Sequence, residues 1–528
     1  MPSPAEGVCP TGAGYRGQIV VKTAFSPWPL RFAAGAVLVL TLGPLLALVW
    51  RAGGIGAVTP ADLAALRFTL WQALLSALAS LLCAIPLARA LARRRFFGRG
   101  AVITLLGAPF VLPVLVAVIG ILAIFGRGGI INLGLEALRL PRFSVYGLNG
   151  ILLAHVFLNL PLATRMLLAG WQAIPDDRFR LTASLGGSVW RLLERPMLAR
   201  VLPGAGLVIF LVCLTSFTVT LTLGGGPRAT TLELAIYQAL RFDFAPDRAA
   251  SLALMQLVLC ALVAGLAGRL SADQALGAGS GRIIPRWDTG GWHAKLADVT
   301  SIALAVAFLA LPLLAVIWRG APALLDLPTG LWPAAGRSLA VAILASALCM
   351  GLTIAFSLRP SRIGALVGIL PMAISGLAMA AGLILLALPF GNPTRFALPA
   401  TVLVNAIMGL PFALRLVAPE FTRITADYGR LADSLGVTGL ARLRLMLLPM
   451  ARRQIGFAAG LTAALAVGDL GVIALFGGQG QETLPLFMSA LMGAYRMQDA
   501  AAVALVLAAL AFGLFLLCDL WGRRDLTN

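Results

Sequence analysis

The chain has 528 residues, of which 60% are apolar and only 12% charged, with 57 Gly and 31 Pro. A soluble core of this length has no use for so much apolar surface, so the composition excludes a soluble domain of this size and points to a polytopic α-helical membrane protein. The net charge of +20 does not bring nucleic acid back into play, because the basic residues are scattered through short loops rather than gathered in a patch with aromatics.

In chain order, residues 1–28 are polar, lack an apolar stretch and read as a cytoplasmic tail rather than a cleaved leader. Apolar runs then predict membrane spans at about 32–50, 68–90, 101–125, 148–170, 203–223 and 249–268. Arg93-Arg94-Arg95 closes the second span as a cytoplasmic stop, and an outside loop runs to about residue 67. Residues 270–298 break the composition with Ser, Gly, Asp and Arg and read as a cytoplasmic linker that includes His293. Six further spans follow at about 299–318, 337–358, 363–389, 397–417, 456–476 and 499–521, with 522–528 as a short tail. The greater part of the 41 Lys and Arg residues falls on one set of loops and termini, which the positive-inside bias makes cytoplasmic, both termini included. None of the six cysteines (Cys9, Cys83, Cys213, Cys260, Cys349, Cys518) forms a C-x-x-C pair, so neither a metal site nor a disulfide frame is expected.

The second half repeats the first. Pro44-Leu-Leu-Ala-Leu-Val-Trp-Arg51 returns as Pro312-Leu-Leu-Ala-Val-Ile-Trp-Arg319, and Leu78-Ala-Ser-Leu-Leu-Cys83 as Leu344-Ala-Ser-Ala-Leu-Cys349. The clearest copy is a charged loop, Ile174-Pro-Asp-Asp-Arg-Phe-Arg-Leu-Thr-Ala-Ser-Leu-Gly186, matched by Ile424-Thr-Ala-Asp-Tyr-Gly-Arg-Leu-Ala-Asp-Ser-Leu-Gly436. Each repeat, 29–269 and 299–521, has an even number of spans. The repeats are therefore parallel, related by an axis along the membrane normal, and both charged loops face the cytoplasm.

Within these loops Asp176, Asp177 or Thr425 can open a short helix, and Asp427 is the repeat partner of Asp177. Leu181 and Leu185, like Leu431 and Leu435, lie four apart and share a face. Ala183, Ser184, Ala432 and Ser434 are small enough to admit another surface. Gly186 and Gly436 can end the helix in the left-handed conformation. Arg180 and Arg430 carry charge for an acidic or polar groove. An ordinary loop wetting the membrane surface is the plainer reading, and duplication of this many side chains weighs against it.

This loop resembles that of the permeases of bacterial binding-protein-dependent ABC importers, which carries Glu-Ala-Ala, then Gly, then a hydrophobic-Pro pair, and docks as a short helix on the ATPase. Here Arg180 and Arg430 stand where the Glu would be. The Pro positions are Pro196 and Pro449, 10 residues after Gly186 but 13 after Gly436, so the two contacts need not be equivalent. A closer resemblance, to the fused permease of thiamine/thiamine-pyrophosphate importers, rests on Leu223-Gly-Gly-Gly-Pro-Arg-Ala-Thr-Thr-Leu-Glu-Leu-Ala-Ile-Tyr-Gln-Ala-Leu240. Gly468-Asp-Leu-Gly-Val-Ile-Ala-Leu-Phe-Gly477, Thr483-Leu-Pro485 and Gly493-Ala-Tyr-Arg496 carry it further.

That resemblance implies an all-α permease of the type I importer kind in the bacterial inner membrane. It implies a pair of ABC ATPase subunits binding Mg-ATP on the cytoplasmic side, and a periplasmic binding protein delivering thiamine or its phosphates. The chain has no P-loop, so ATP hydrolysis is expected on another chain; as a permease it is expected to be no enzyme and to bind no cofactor of its own. Ferric iron or another small solute is the sibling alternative. An ion-coupled twelve-helix transporter is the alternative of another class, and it would call for several paired intramembrane charges.

Asp469 stands out as a carboxylate well inside a span, where an acid faces a cavity or a partner. An acid lining an aqueous path would suit the cationic ring of thiamine, whereas a bond to a neighbouring helix is the structural alternative. Its repeat partner is Ser216, accompanied by Thr215 and Thr218. His155 reads first as a packed, satisfied histidine. Tyr237 and Tyr495 read as interfacial aromatics that could also stack on a flat cation. Gly224-Gly225-Gly226 reads as a tight turn rather than a phosphate loop.

Overall fold

A computed structural model describes residues 25–51, 53–54, 56–270, 291–478 and 480–523. Most of the N-terminal tail, with Cys9, and most of the linker and of the C-terminal tail lie outside the described residues. Eleven helices among these residues are long and apolar enough to cross a membrane. A twelfth crossing arises if Arg362–Ala373 and Gly376–Phe390, bent by 87° at their junction, count as one span.

The first half comprises α1 (Trp28–Arg51), α2 (Pro60–Arg93), α3 (Val114–Phe125), α4 (Leu148–Gln172), α5 (Asp176–Ser184), α6 (Arg195–Leu214), α7 (Phe217–Leu223), α8 (Leu232–Arg241) and α9 (Pro246–Leu270). The second comprises α10 (Trp292–Gly320), α11 (Leu331–Ser357), α12 (Gly376–Ala387), α13 (Ala397–Ser434), α14 (Arg452–Val467), α15 (Gly471–Phe476), α16 (Leu484–Gly493) and α17 (Met497–Arg523).

Several expected boundaries move. The second span starts at Pro60, not near 68, because Thr59 and Asp62 form a reciprocal capping box with Pro60 in the first turn. The third is split: Arg99–Leu105 and Ala108–Val111 precede a break at Leu112-Pro113, and only α3 continues. Proline cannot supply the amide that an unbroken helix needs there. Helix α10 begins at Trp292, so the last residues assigned to the linker are its first two turns. Helix α17 likewise runs on to Arg523.

Asp298 explains that early start. It is buried and grips two of the three arginines that end α2: Arg93 Nη2 lies 2.6 Å from Oδ1, and Arg94 Nε 2.6 Å from Oδ2. What reads in the sequence as a stop signal is therefore also a joint between the halves. Leaving any member of such a buried set unpaired costs about 3–5 kcal/mol.

The repeats interleave. Helix α1 packs on α12 of the other half, and α10 packs on α3. Each crossing pairs a glycine with a repeated proline: a Cβ at Gly120 would strike the Pro312 carbonyl, and one at Gly382 the Pro44 carbonyl. Small residues allow membrane helices to approach to backbone contact. Within each half, α2 packs on α4 and α6, matched by α11 on α13 and α14.

Candidate coupling loops and central helix breaks

The first charged loop forms α5, with Pro175 as its N-cap residue and Asp176 and Asp177 in its first turn, where acids suit the helix N-terminus. Gly186 follows at φ +60°, with Gly187 N–H donating to the Thr182 carbonyl and Gly186 N–H to the Ala183 carbonyl. Gly436 repeats this at φ +68°, with Val437 N–H donating to the Ala432 carbonyl. Only a residue tolerant of the left-handed conformation closes a helix this way.

The side chains also repeat. Asp177, Arg180, Leu181, Ser184, Leu185 and Gly186 are exposed, and so are Asp427, Arg430, Leu431, Ser434, Leu435 and Gly436. Leu181 is 60% exposed and Leu185 71%; Leu431 is 57% and Leu435 68%. Both copies thus hold an apolar pair in the open at the end of a helix. Ala183 is exposed, but Ala432 is not. Ala432 matches Thr182, and both are 5% exposed, because they sit on the face turned toward the body of the protein.

The loops differ in how they leave the membrane. Thr425 opens no helix: α13 runs unbroken from Ala397 to Ser434, whereas Pro175 separates α4 from α5. The three additional residues of the second copy fall between Gly436 and the following π-helical turn, where the chain makes an extra four-residue turn, Gly439–Arg442. Arg442 is buried there and donates to Asp433 at 2.8 Å. Beyond the insertion both chains pass through a π-helical turn, Trp190–Glu194 and Leu443–Leu447, and reach Pro196 and Pro449 in step. Glu194 is wholly buried and takes hydrogen bonds from Arg89 (2.8 Å) and the Trp171 indole (3.1 Å). Leu447 replaces it in the second copy, so a polar clamp faces an apolar one.

The fifth and eleventh spans are not continuous. Helix α6 ends at Leu214 and α7 resumes at Phe217, leaving Thr215 and Ser216 at the break. Helix α14 ends at Val467 and α15 resumes at Gly471, leaving Asp469 at the matching break. Ser216 Oγ lies 2.9 Å from His155 Nε2, and His155 Nδ1 lies 2.9 Å from Ser76 Oγ. In the second half Asn405 Nδ2 donates to Asp469 Oδ2 at 3.1 Å, and Gly471 N–H to Oδ1 at 3.1 Å. Asn405 occupies the repeat position of His155. Thr215, Ser216, Thr218 and Asp469 are all partly exposed. A Cβ on Gly471 would lie 3.5 Å from Phe217, so the two breaks meet across the interface between halves.

His155 is thus a satisfied buried histidine. Tyr237 packs on Phe217 and Phe242, at 5.3 and 5.8 Å between ring centroids. Tyr495 is 89% exposed. Gly225 and Gly226 take φ +71° and +136°, as a tight turn requires. Asp469 is half-buried, whereas Asp62, Glu194, Glu233, Asp298 and Asp519 are buried outright. Glu233 lies between the fifth and sixth apolar runs of the sequence, in a segment that folds into the buried helix α8. The Thr231-x-x-Leu234 cap and the apolar spacing of Leu232, Ala235, Ile236 and Ala239 are the signals that could have shown this.

No family model matches the chain. The thiamine transport system permease protein ThiP of Brucella abortus (strain 2308) is 41% identical over 507 residues, 90% of this chain and 92% of its own. ThiP of Escherichia coli (strain K12) is 42% identical over 484 residues, covering 88% and 90%. ThiP of Haemophilus influenzae is 35% identical over 470 residues, covering 85% and 86%.

Proposed function

The chain belongs to the thiamine transport system permease family, and from that premise we propose that it is the fused membrane permease of an ATP-driven thiamine importer. The observation that carries this reading is identity of about 41% along nine-tenths of the chain. A pair of ABC ATPase subunits binds Mg-ATP and receives Leu181/Leu185 and Leu431/Leu435. Six crossings separate these loops when the bent pair counts as one, so both emerge on the same side of the bundle. That side is cytoplasmic, with both termini, in a bacterial inner membrane. A periplasmic binding protein delivers the vitamin to the opposite side.

ATP-driven closure of the ATPase pair pulls the two loops together and tilts the halves about the interface where the helix breaks meet. Asp469, oriented by Asn405 and the Gly471 amide, offers negative charge to the thiazolium ring. Ser216, held by His155, offers a neutral hydroxyl with Thr215 and Thr218 beside it. A carboxylate partly exposed at a break is suited to a passing cation, since Asn405 and the Gly471 amide orient it and both are neutral.

Uptake of labelled thiamine into vesicles tests the reading. It should require this chain, its ATPase, its binding protein and ATP together. Uptake by the chain alone, driven by an ion gradient, would refute it.

A further inference from the structure

Glu233 is a buried carboxylate that neither the loops nor the helix breaks use. It is 2% exposed and sits in the first turn of α8. Its Oε1 accepts from Gln256 Nε2 of α9 at 2.7 Å, and its Oε2 from Ser375 Oγ at 2.7 Å. Both partners are neutral. Ser375 belongs to the other half and is the N-cap residue of α12, where its Oγ accepts from Leu377 N–H (3.1 Å) and Ala378 N–H (3.2 Å).

The hydroxyl therefore takes two amide protons from the helix start and gives its own to Glu233. Through that one atom, the positive end of α12 reaches a carboxylate in the opposite half. The bond sits at the 87° bend of the ninth span. Helix α8 is itself held to its own half by Leu232 N–H donating to Thr69 Oγ1 at 2.9 Å. It packs across the interface on α12 and α15.

The repeat has no such bond. Helix α16 is anchored alike, with Leu484 N–H donating to Ser338 Oγ at 2.8 Å. Pro485 takes the place of Glu233, however, and Pro113, the N-cap residue of α3, takes that of Ser375. The carboxylate bond across the halves is therefore a feature of the first half alone.

We propose that Glu233 is a positioning residue for transport, a latch of the first half that holds the bent ninth span of the second half against it on the side opposite the coupling loops, and that this bond breaks when the path opens there. Releasing Ser375 strips the carboxylate of one of two donors, so opening is resisted until delivery of substrate and ATP binding drive it. This rests on the importer reading above, in which the halves part.

The test uses the full complex in vesicles, comparing Glu233→Leu, Ser375→Ala and Glu233→Gln. In Glu233→Gln the new amide can donate to Gln256 Oε1, which lacks a partner, while its oxygen still accepts from Ser375. ATP hydrolysis without binding protein should rise about threefold or more in Glu233→Leu and Ser375→Ala, uptake per ATP should fall, and Glu233→Gln should stay near wild type.

Because Glu233→Leu could fail to fold, a Glu233→Cys/Ser375→Cys pair supplies a second readout. Its oxidation should stop uptake, and a reductant should restore it. Unchanged basal hydrolysis in Ser375→Ala, or full uptake by the oxidised pair, would overturn the latch. Wild-type uptake that ignores ATP would instead overturn the importer reading.

Discussion

Asn405 Nδ2 donates to Asp469 Oδ2 at 3.1 Å, at the place where the other half sets His155 against Ser216. The repeat thus preserves the contact between helix and helix break while exchanging its chemistry. If Asp469 meets a cation, Asp469→Asn removes the charge and keeps the shape. It should raise the KM for thiamine about tenfold, the effect of losing ~1.4 kcal/mol, with protein levels unchanged. Concentration-dependent uptake measures this, and an unaltered KM would take Asp469 out of the path.

His155 bonds two serines from different helices, Ser76 and Ser216. His155→Leu takes the ring from both hydroxyls and leaves the buried Ser76 short of a partner, at roughly 1–3 kcal/mol for a buried group left unpaired. The purified variant should unfold at lower temperature in detergent. His155→Asn, which copies the second half, should recover part of that loss. Equal melting of both variants would show that the bonds carry no stability.

The coupling loops should respond unequally to one substitution. Thr425 lies within continuous α13, whereas Pro175 already interrupts the first copy. Thr425→Pro should cost about 3 kcal/mol of local helix stability and uncouple ATP hydrolysis from uptake. Pro175→Ala should change uptake by less than about twofold, since a helix end tolerates either residue. Replacing Leu431 and Leu435 with Asp should release the ATPase subunits during co-purification, and their retention would show that this face is not the contact.

Gly120 and Gly382 leave no room for a methyl group beside the carbonyls of Pro312 and Pro44. Gly120→Ala and Gly382→Ala should each destabilise the protein by roughly 1–3 kcal/mol, the usual cost of overpacking. Size exclusion in detergent and thermal melting report this. Gly134→Ala is a suitable control, because a Cβ there meets nothing within 4 Å.

Asp298→Ala leaves Arg93 buried without its carboxylate. The loss should be about 3–5 kcal/mol, seen as reduced folded yield in the membrane. Adding Arg93→Met should recover part of it by removing the stranded charge. No recovery would mean that Asp298 acts by some route other than this pair.

Hydropathy and the internal repeat were enough to find the long apolar helices and the two matching charged stretches, because both signals are written in the chain's own period. Gly186 and Gly436 were equally legible, since a left-handed helix end asks for glycine wherever it occurs. The breaks at Ser216 and Asp469 were not, for apolar residues flank them on both sides and hydropathy passes over a missing hydrogen bond. Nor could the burial of Ala432 be read from its small size. It depends on which face of the helix the rest of the protein covers.

The interleaving of α1 and α10, the Arg93–Asp298 joint and the burial of Glu233 were decided only by the tertiary structure. Each joins residues more than a hundred positions apart. A carboxylate reads as a loop residue until packing brings Ser375 and Gln256 to its oxygens. Local sequence specifies which helices form and where they end. Which polar groups can be buried depends on partners that only the assembled bundle provides.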